Sequence, residues 1–144
     1  MKKIDITSGD CLNRILQEKD PARVWIPFRE AMIKGTYASA LFSDGFIAER
    51  SRTHGVTEEE YREKLSCFLD VLRGADAYEE IGLWFGEEPF CTENRKVVIR
   101  ALKESGFHGA IVSHTVNEET GEILFTETLF CGEGDSAGVA EKGE

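Results

Sequence analysis

The sequence predicts an α/β fold on a mainly parallel sheet, and three observations carry that prediction. Ile81-Gly82-Leu83-Trp84-Phe85 is continuously apolar, as expected of a strand covered on both faces of a parallel sheet. Residues 4–27 read as a strand, a helix and a strand, the order of a βαβ unit. Ala110-Ile111-Val112 and Ile123-Leu124-Phe125 begin two more strands, separated by the hairpin-like Asn117-Glu118-Glu119-Thr120-Gly121. Together they give a Rossmann-like three-layer sandwich whose sheet ends in an antiparallel C-terminal hairpin.

Each element has its own signal. Ile4-Asp5-Ile6-Thr7 alternates and then meets Ser8-Gly9-Asp10, a turn able to cap a helix. Leu12, Ile15 and Leu16 fall on one helical face before Pro21. Val24-Trp25-Ile26 is a compact apolar run stopped by Pro27. Between Arg29 and Gly45 no period emerges, because Gly35, Ser39 and Ser43 interrupt the apolar residues. A connection of that length inside a domain is often functional or partly helical. One or two helical turns are expected over residues 46–52. Thr57-Glu58-Glu59-Glu60 is a capping box, with Val56 and Tyr61 at the positions of a hydrophobic staple. Tyr61, Leu65, Phe68, Leu69 and Leu72 then repeat at helical spacing up to Gly74. Pro89 suits the first turn of a further helix, whose apolar face is Phe90, Val97, Val98, Ala101 and Leu102 and whose stop is Gly106.

Length and charge narrow the function classes. The chain has 144 residues, enough for a continuous core, and residues 1–131 read as a single domain. Small and charged residues predominate over 132–144, where a flexible tail is expected. The formal net charge is −10, with no basic cluster to neutralise phosphates along a duplex, so nucleic acid is not an expected partner. No apolar run approaches the roughly 20 residues that span a bilayer, and Asp5 interrupts any signal-peptide stretch. The expected location is therefore the cytoplasm. Cys11, Cys67, Cys91 and Cys131 form no C-x-x-C pair, and reduced thiols are expected. His54, His108 and His114 have no zinc-ligand spacing, so no metal site is assigned, and no cofactor is identified. Dinucleotide, P-loop and nucleophile-elbow motifs are all missing.

Sheet geometry still selects a place. Ligands of open α/β sheets bind beyond the carboxyl ends of the parallel strands, where the strand order reverses. Ser8, Gly9 and Asp10 follow the first strand, Arg29 and Glu30 the second, and Glu87, Glu88 and Cys91 the third. With Asn94, one turn into the last helix, they make up the candidate ligand-binding set. Asp10 also suits a helix N-cap. Arg29 is expected to pair with an acid, Glu30 among them, and Glu87 and Glu88 suit a helix N-terminus on electrostatic grounds alone. Grouped carboxylates could hold a cation that organises a phosphate. Cys11 and Cys91 read first as small buried hydrophobes and second as nucleophiles at helix N-termini.

Ile6-Thr7-Ser8-Gly9-Asp10, Pro27-Phe28-Arg29-Glu30 with Gly35, and Leu83-Trp84-Phe85 with Phe90-Cys91 resemble the bacterial domain of unknown function DUF1835, over roughly residues 3–105. The resemblance implies a Gly-Asp after the first strand and an Arg-Glu after the second, which Gly9-Asp10 and Arg29-Glu30 match. Glu87 and Glu88 stand where that family often has His and Asp, and Thr92 replaces a common glutamine. The resemblance thus points to the same sheet edge without naming a reaction.

Two functions compete on this reading. One is a small-molecule, nucleotide or phosphate site at the carboxyl edge, extending to metal-assisted hydrolysis or phosphoryl transfer. The other is a non-catalytic interaction or regulatory module, since no catalytic motif is present. A cysteine-dependent enzyme would rest on Cys11 and Cys91 alone. Whether the chain is an enzyme, and its oligomeric state, are left open by the sequence.

Overall fold

The computed structural model describes residues 2–131; the tail expected at 132–144 lies outside the described residues. Five strands form one sheet: β1 (Lys3–Thr7), β2 (Trp25–Pro27), β3 (Glu80–Phe85), β4 (Ala110–Val116) and β5 (Ile123–Phe130). Their order is β2-β1-β3-β4-β5. All neighbours are parallel except β4 and β5, which form the antiparallel hairpin. The fold is therefore α/β with a mixed, mostly parallel sheet, and the order reverses between β1 and β3.

That reversal decides where the helices go. The chain leaves β1 through α1 (Asp10–Lys19) toward β2, and leaves β3 through α5 (Pro89–Glu104) in the opposite direction toward β4. Right-handed crossovers running in opposite directions place their helices on opposite faces. The two cores agree. Ile4 and Ile6 of β1, Ile81, Leu83 and Phe85 of β3 and Ile111 of β4 pack with α2 (Asp44–His54), α3 (Glu58–Lys64), α4 (Ser66–Arg73) and α5. On the other face, Leu12 and Leu16 of α1 meet Trp25, Trp84 and Val116. Ile15, the third residue of the expected apolar face, is only half-buried. β3 has parallel partners on both sides, which explains its unbroken apolar run.

The helical signals resolve unevenly. The capping box forms: Thr57 Oγ1 accepts from the Glu60 N–H, and the Glu60 carboxylate accepts from the Thr57 N–H. The expected single helix is two, since Leu65 leaves helical geometry at φ −101°, ψ 12° and splits α3 from α4. The expected turns near 46–52 are the centre of a longer helix, α2, started by Ser43, whose Oγ accepts from the Phe46 N–H. Gly55 then ends it in the left-handed region at φ 69°. β5 is an edge strand on which Ile123, Leu124, Phe125 and Phe130 remain exposed. No helix among the described residues is long and apolar enough to cross a membrane.

Candidate functional site

The carboxyl ends of β1 and β2 open into a cleft of about 380 Å³. Ser8, Gly9 and Asp10 form one wall, where α1 begins without a side-chain cap on its first-turn N–H groups. Phe28, Arg29, Glu30 and Ala31 follow β2 into it, and Lys34, His54, Lys64 and Phe90 complete the lining. Five of the residues selected from sequence by strand position, Ser8, Gly9, Asp10, Arg29 and Glu30, thus share one cleft.

Glu30 is the organising carboxylate, with a side chain 0% exposed. Arg50, equally buried, donates from Nε to Oε2 at 2.9 Å and from Nη2 to Oε1 at 3.2 Å. The Tyr61 hydroxyl donates to Oε2 at 2.5 Å, and the Ala31 N–H donates to Oε1 at 2.7 Å. His54 Nε2 lies 2.6 Å from Oε1, so it must carry the proton and donate. Desolvation pushes the Glu30 carboxyl up, but the donors from Arg50, Tyr61 and Ala31 outweigh it and hold the group below its ordinary range. Glu30 is therefore ionised. Burial and the Glu30 charge drive the Tyr61 phenol far above its ordinary range, so its hydroxyl stays a donor.

The expected pairing of Arg29 with one of the nearby acids forms, and the acid is Asp10 rather than the adjacent Glu30. Arg29 Nε bonds Asp10 Oδ1 at 2.9 Å on the surface, while Arg50 takes Glu30. Arg29 is turned to the surface while the adjacent Glu30 is fully buried, so the two neighbours take different partners. Asp10 is not the N-cap of α1; Gly9 occupies that position and Asp10 is the first helical residue.

The remaining candidates lie apart from the cleft or are spent on structure. Asn94 is 0% exposed, and its amide joins two backbone groups: Nδ2 donates to the Glu30 carbonyl at 2.7 Å and Oδ1 accepts from the Met32 N–H at 2.8 Å. Glu87 and Glu88 are exposed and line a second groove with Glu118 and Glu119. Cys91 is buried, and its thiol donates to Glu118 Oε2 at 3.3 Å. Burial, then the Glu118 carboxylate, pushes that thiol up to about 11, which keeps it protonated and ill-suited to nucleophilic attack at neutral pH. Cys11 and Cys67 are exposed thiols outside any disulfide. Among the described residues no three His, Cys, Asp or Glu side chains are grouped so as to hold a metal ion.

Strand position could not have found Lys34, Lys64, His54 or Arg50. They come from the aperiodic connection and from α2 and α3; packing brings Lys34, Lys64 and His54 to the cleft and sets Arg50 behind it on Glu30. Glu118 was read as part of a turn, yet Ser8 Oγ donates to its Oε2 at 2.5 Å. The chain matches no protein-family model, no curated protein and no solved structure.

Proposed function

We propose that the chain binds a small anionic molecule, of phosphate or nucleotide class, in the cleft over the carboxyl ends of β1 and β2. The sign of the cleft's charge carries this reading. Arg29, Lys34 and Lys64 line it in a chain whose net charge is −10. Its two carboxylates are already matched, Asp10 by Arg29 and Glu30 by Arg50. Lys34 and Lys64 also line the cleft, and neither forms an ion pair among the described residues. The uncapped first turn of α1 adds backbone N–H groups and the positive end of a helix dipole. Phe90, 37% exposed, offers an aromatic surface beside them. The resemblance to DUF1835 read in the sequence would place a site at the same edge. Hydrolysis or phosphoryl transfer would be the catalytic form of this reading, with His54, fixed by Glu30, as the side chain able to move a proton.

Thermal unfolding in inorganic phosphate and in nucleotides, against chloride at matched ionic strength, tests the proposal. A ligand of the folded state raises the melting temperature by mass action. The rise should vanish in the double variant Lys34→Ala, Lys64→Ala, whose exposed side chains leave the unliganded melting temperature nearly unchanged. No rise for wild type at millimolar phosphate or nucleotide would remove the reading.

The second reading, an interaction module, is favoured by the apolar residues exposed on β5. Among the described residues β5 has no partner on its outer side, and an edge strand carrying Leu124, Phe125 and Phe130 is a surface on which another strand could add. Sedimentation of wild type and Phe125→Lys would separate a self-associating edge from an inert one.

A further inference from the structure

The loop between β4 and β5 places one carboxylate at the point where the strand order reverses. The loop is tightly tied. Asn117 Oδ1 accepts from the N–H groups of Glu119 and Thr120, and the Gly121 N–H donates to the Asn117 carbonyl at 2.7 Å. Gly121 is at φ 81°, and a Cβ there would lie 2.9 Å from Leu16 Cδ2, so the loop rests on α1. Glu118 is thereby turned back across the sheet edge. Its Oε2 receives the Ser8 hydroxyl at 2.5 Å, from the end of β1, and the Cys91 thiol at 3.3 Å, from the first turn of α5. Gly86, at the end of β3, makes the room: a Cβ on it would stand 2.8 Å from the Glu118 carboxyl carbon.

We infer that Glu118 is a built-in competitor for the anion site, its carboxylate holding the Ser8 hydroxyl that an incoming anionic group needs. The inference rests on the anion-binding reading of the cleft. Ser8 lines that cleft and also serves Glu118, and a hydroxyl has one proton to donate. Ser8 is 7% exposed, so water is a poor substitute partner for a hydroxyl that loses its acceptor. An anion that reaches Ser8 must therefore take its proton from Glu118. It must also approach a negative charge that is itself half-buried, where repulsion is poorly screened. Both effects weaken anion binding while the loop is in place, and both end when Glu118 withdraws. A partner or ligand that pulls the β4–β5 loop outward would then switch the cleft on.

Calorimetric titration of inorganic phosphate into wild type, Glu118→Gln and Glu118→Ala tests this, with Lys34→Ala, Lys64→Ala as the control for the cleft. Both Glu118 variants should bind phosphate about tenfold more tightly than wild type, the value of one charge-assisted hydrogen bond. Phosphate should also speed amide exchange over residues 117–121 in wild type, a readout that needs no variant. If phosphate binds wild type and is lost with the two lysines, yet neither Glu118 variant binds more tightly, the competitor role is wrong and the anion site stands. Slower or unchanged loop exchange on phosphate binding would overturn it equally. If no protein in the set binds phosphate, the anion-site reading itself fails and the competitor role goes with it.

Discussion

Glu30 and Asp5 are both carboxylates withdrawn from water, and the protein treats them in opposite ways. Glu30 receives donors from Arg50, Tyr61, His54 and the Ala31 backbone. Asp5, in the middle of β1 on the face of α1, receives the Trp84 indole N–H at 2.9 Å and a longer bond of 3.3 Å from the half-exposed Arg23. A glycine lies across from it, and a Cβ on Gly82 would stand 2.2 Å from Asp5 Oδ1. For Glu30 the donors overcome desolvation and the carboxyl is held below its ordinary range. For Asp5 desolvation outweighs the help from Trp84 and Arg23, and the carboxyl is pushed up. Burial alone does not set the charge state; the number and rigidity of donors do.

The largest expected effect breaks the stronger of the two sites. Arg50→Ala leaves Glu30 buried without its cation and should destabilise the protein by about 3–5 kcal/mol, read by urea unfolding. A loss near zero would mean that Tyr61, His54 and Ala31 suffice to hold the charge. Tyr61→Phe removes one donor to an ionised group and should cost about 1.5–3 kcal/mol. Thr57 caps α3, the helix that delivers Tyr61, and Thr57→Ala should cost about 1 kcal/mol. The smallest effect belongs to Asp5→Asn, expected to stay within about 1 kcal/mol of wild type and to favour the variant at pH 7, since it removes a poorly compensated charge.

A pH series sharpens the comparison because the two signs oppose. Glu30 is depressed from 4.5, so its contribution is fully present above that pH and is lost as pH falls through its lower folded value. Asp5 is raised from 3.8, so its contribution is fully present below that pH and is lost as pH rises through its higher folded value. The advantage of Asp5→Asn over wild type should therefore shrink on acidification. Melting curves of both proteins from neutral to acid pH check this, and a constant gap would show that Asp5 is not desolvated in solution.

The same pair shows what could be read from sequence. β3, the hairpin and the capping box were legible because each rests on local chemistry: an apolar run, a turn between apolar runs, and a hydroxyl three residues from a carboxylate. α2 was legible only as one or two turns at 46–52, because Arg50 and Ser51 are buried polar residues on its inner side and mask its apolar face. The edge of the sheet carrying the candidate site was legible from strand ends alone. Its charge was not, since Lys34 and Lys64 arrive from a loop and from the end of α3 with no pattern linking them to Gly9 or Glu30. Glu30 itself was singled out, but its partner was sought at the adjacent position rather than twenty residues away, in a helix the sequence barely announced.

Asn94 has a mechanical consequence for this arrangement. One side-chain amide takes both the carbonyl of Glu30 and the N–H of Met32, the two-bond exchange that an adjacent strand would make with an extended chain. The segment after β2 is thus riveted to α5 at a single residue, and the rivet is directional: an aspartate could still accept from Met32 but would set a second oxygen against the Glu30 carbonyl. The cleft wall and α5 must then travel as one piece, so any opening of the cleft has its hinge outside the Glu30–Met32 stretch.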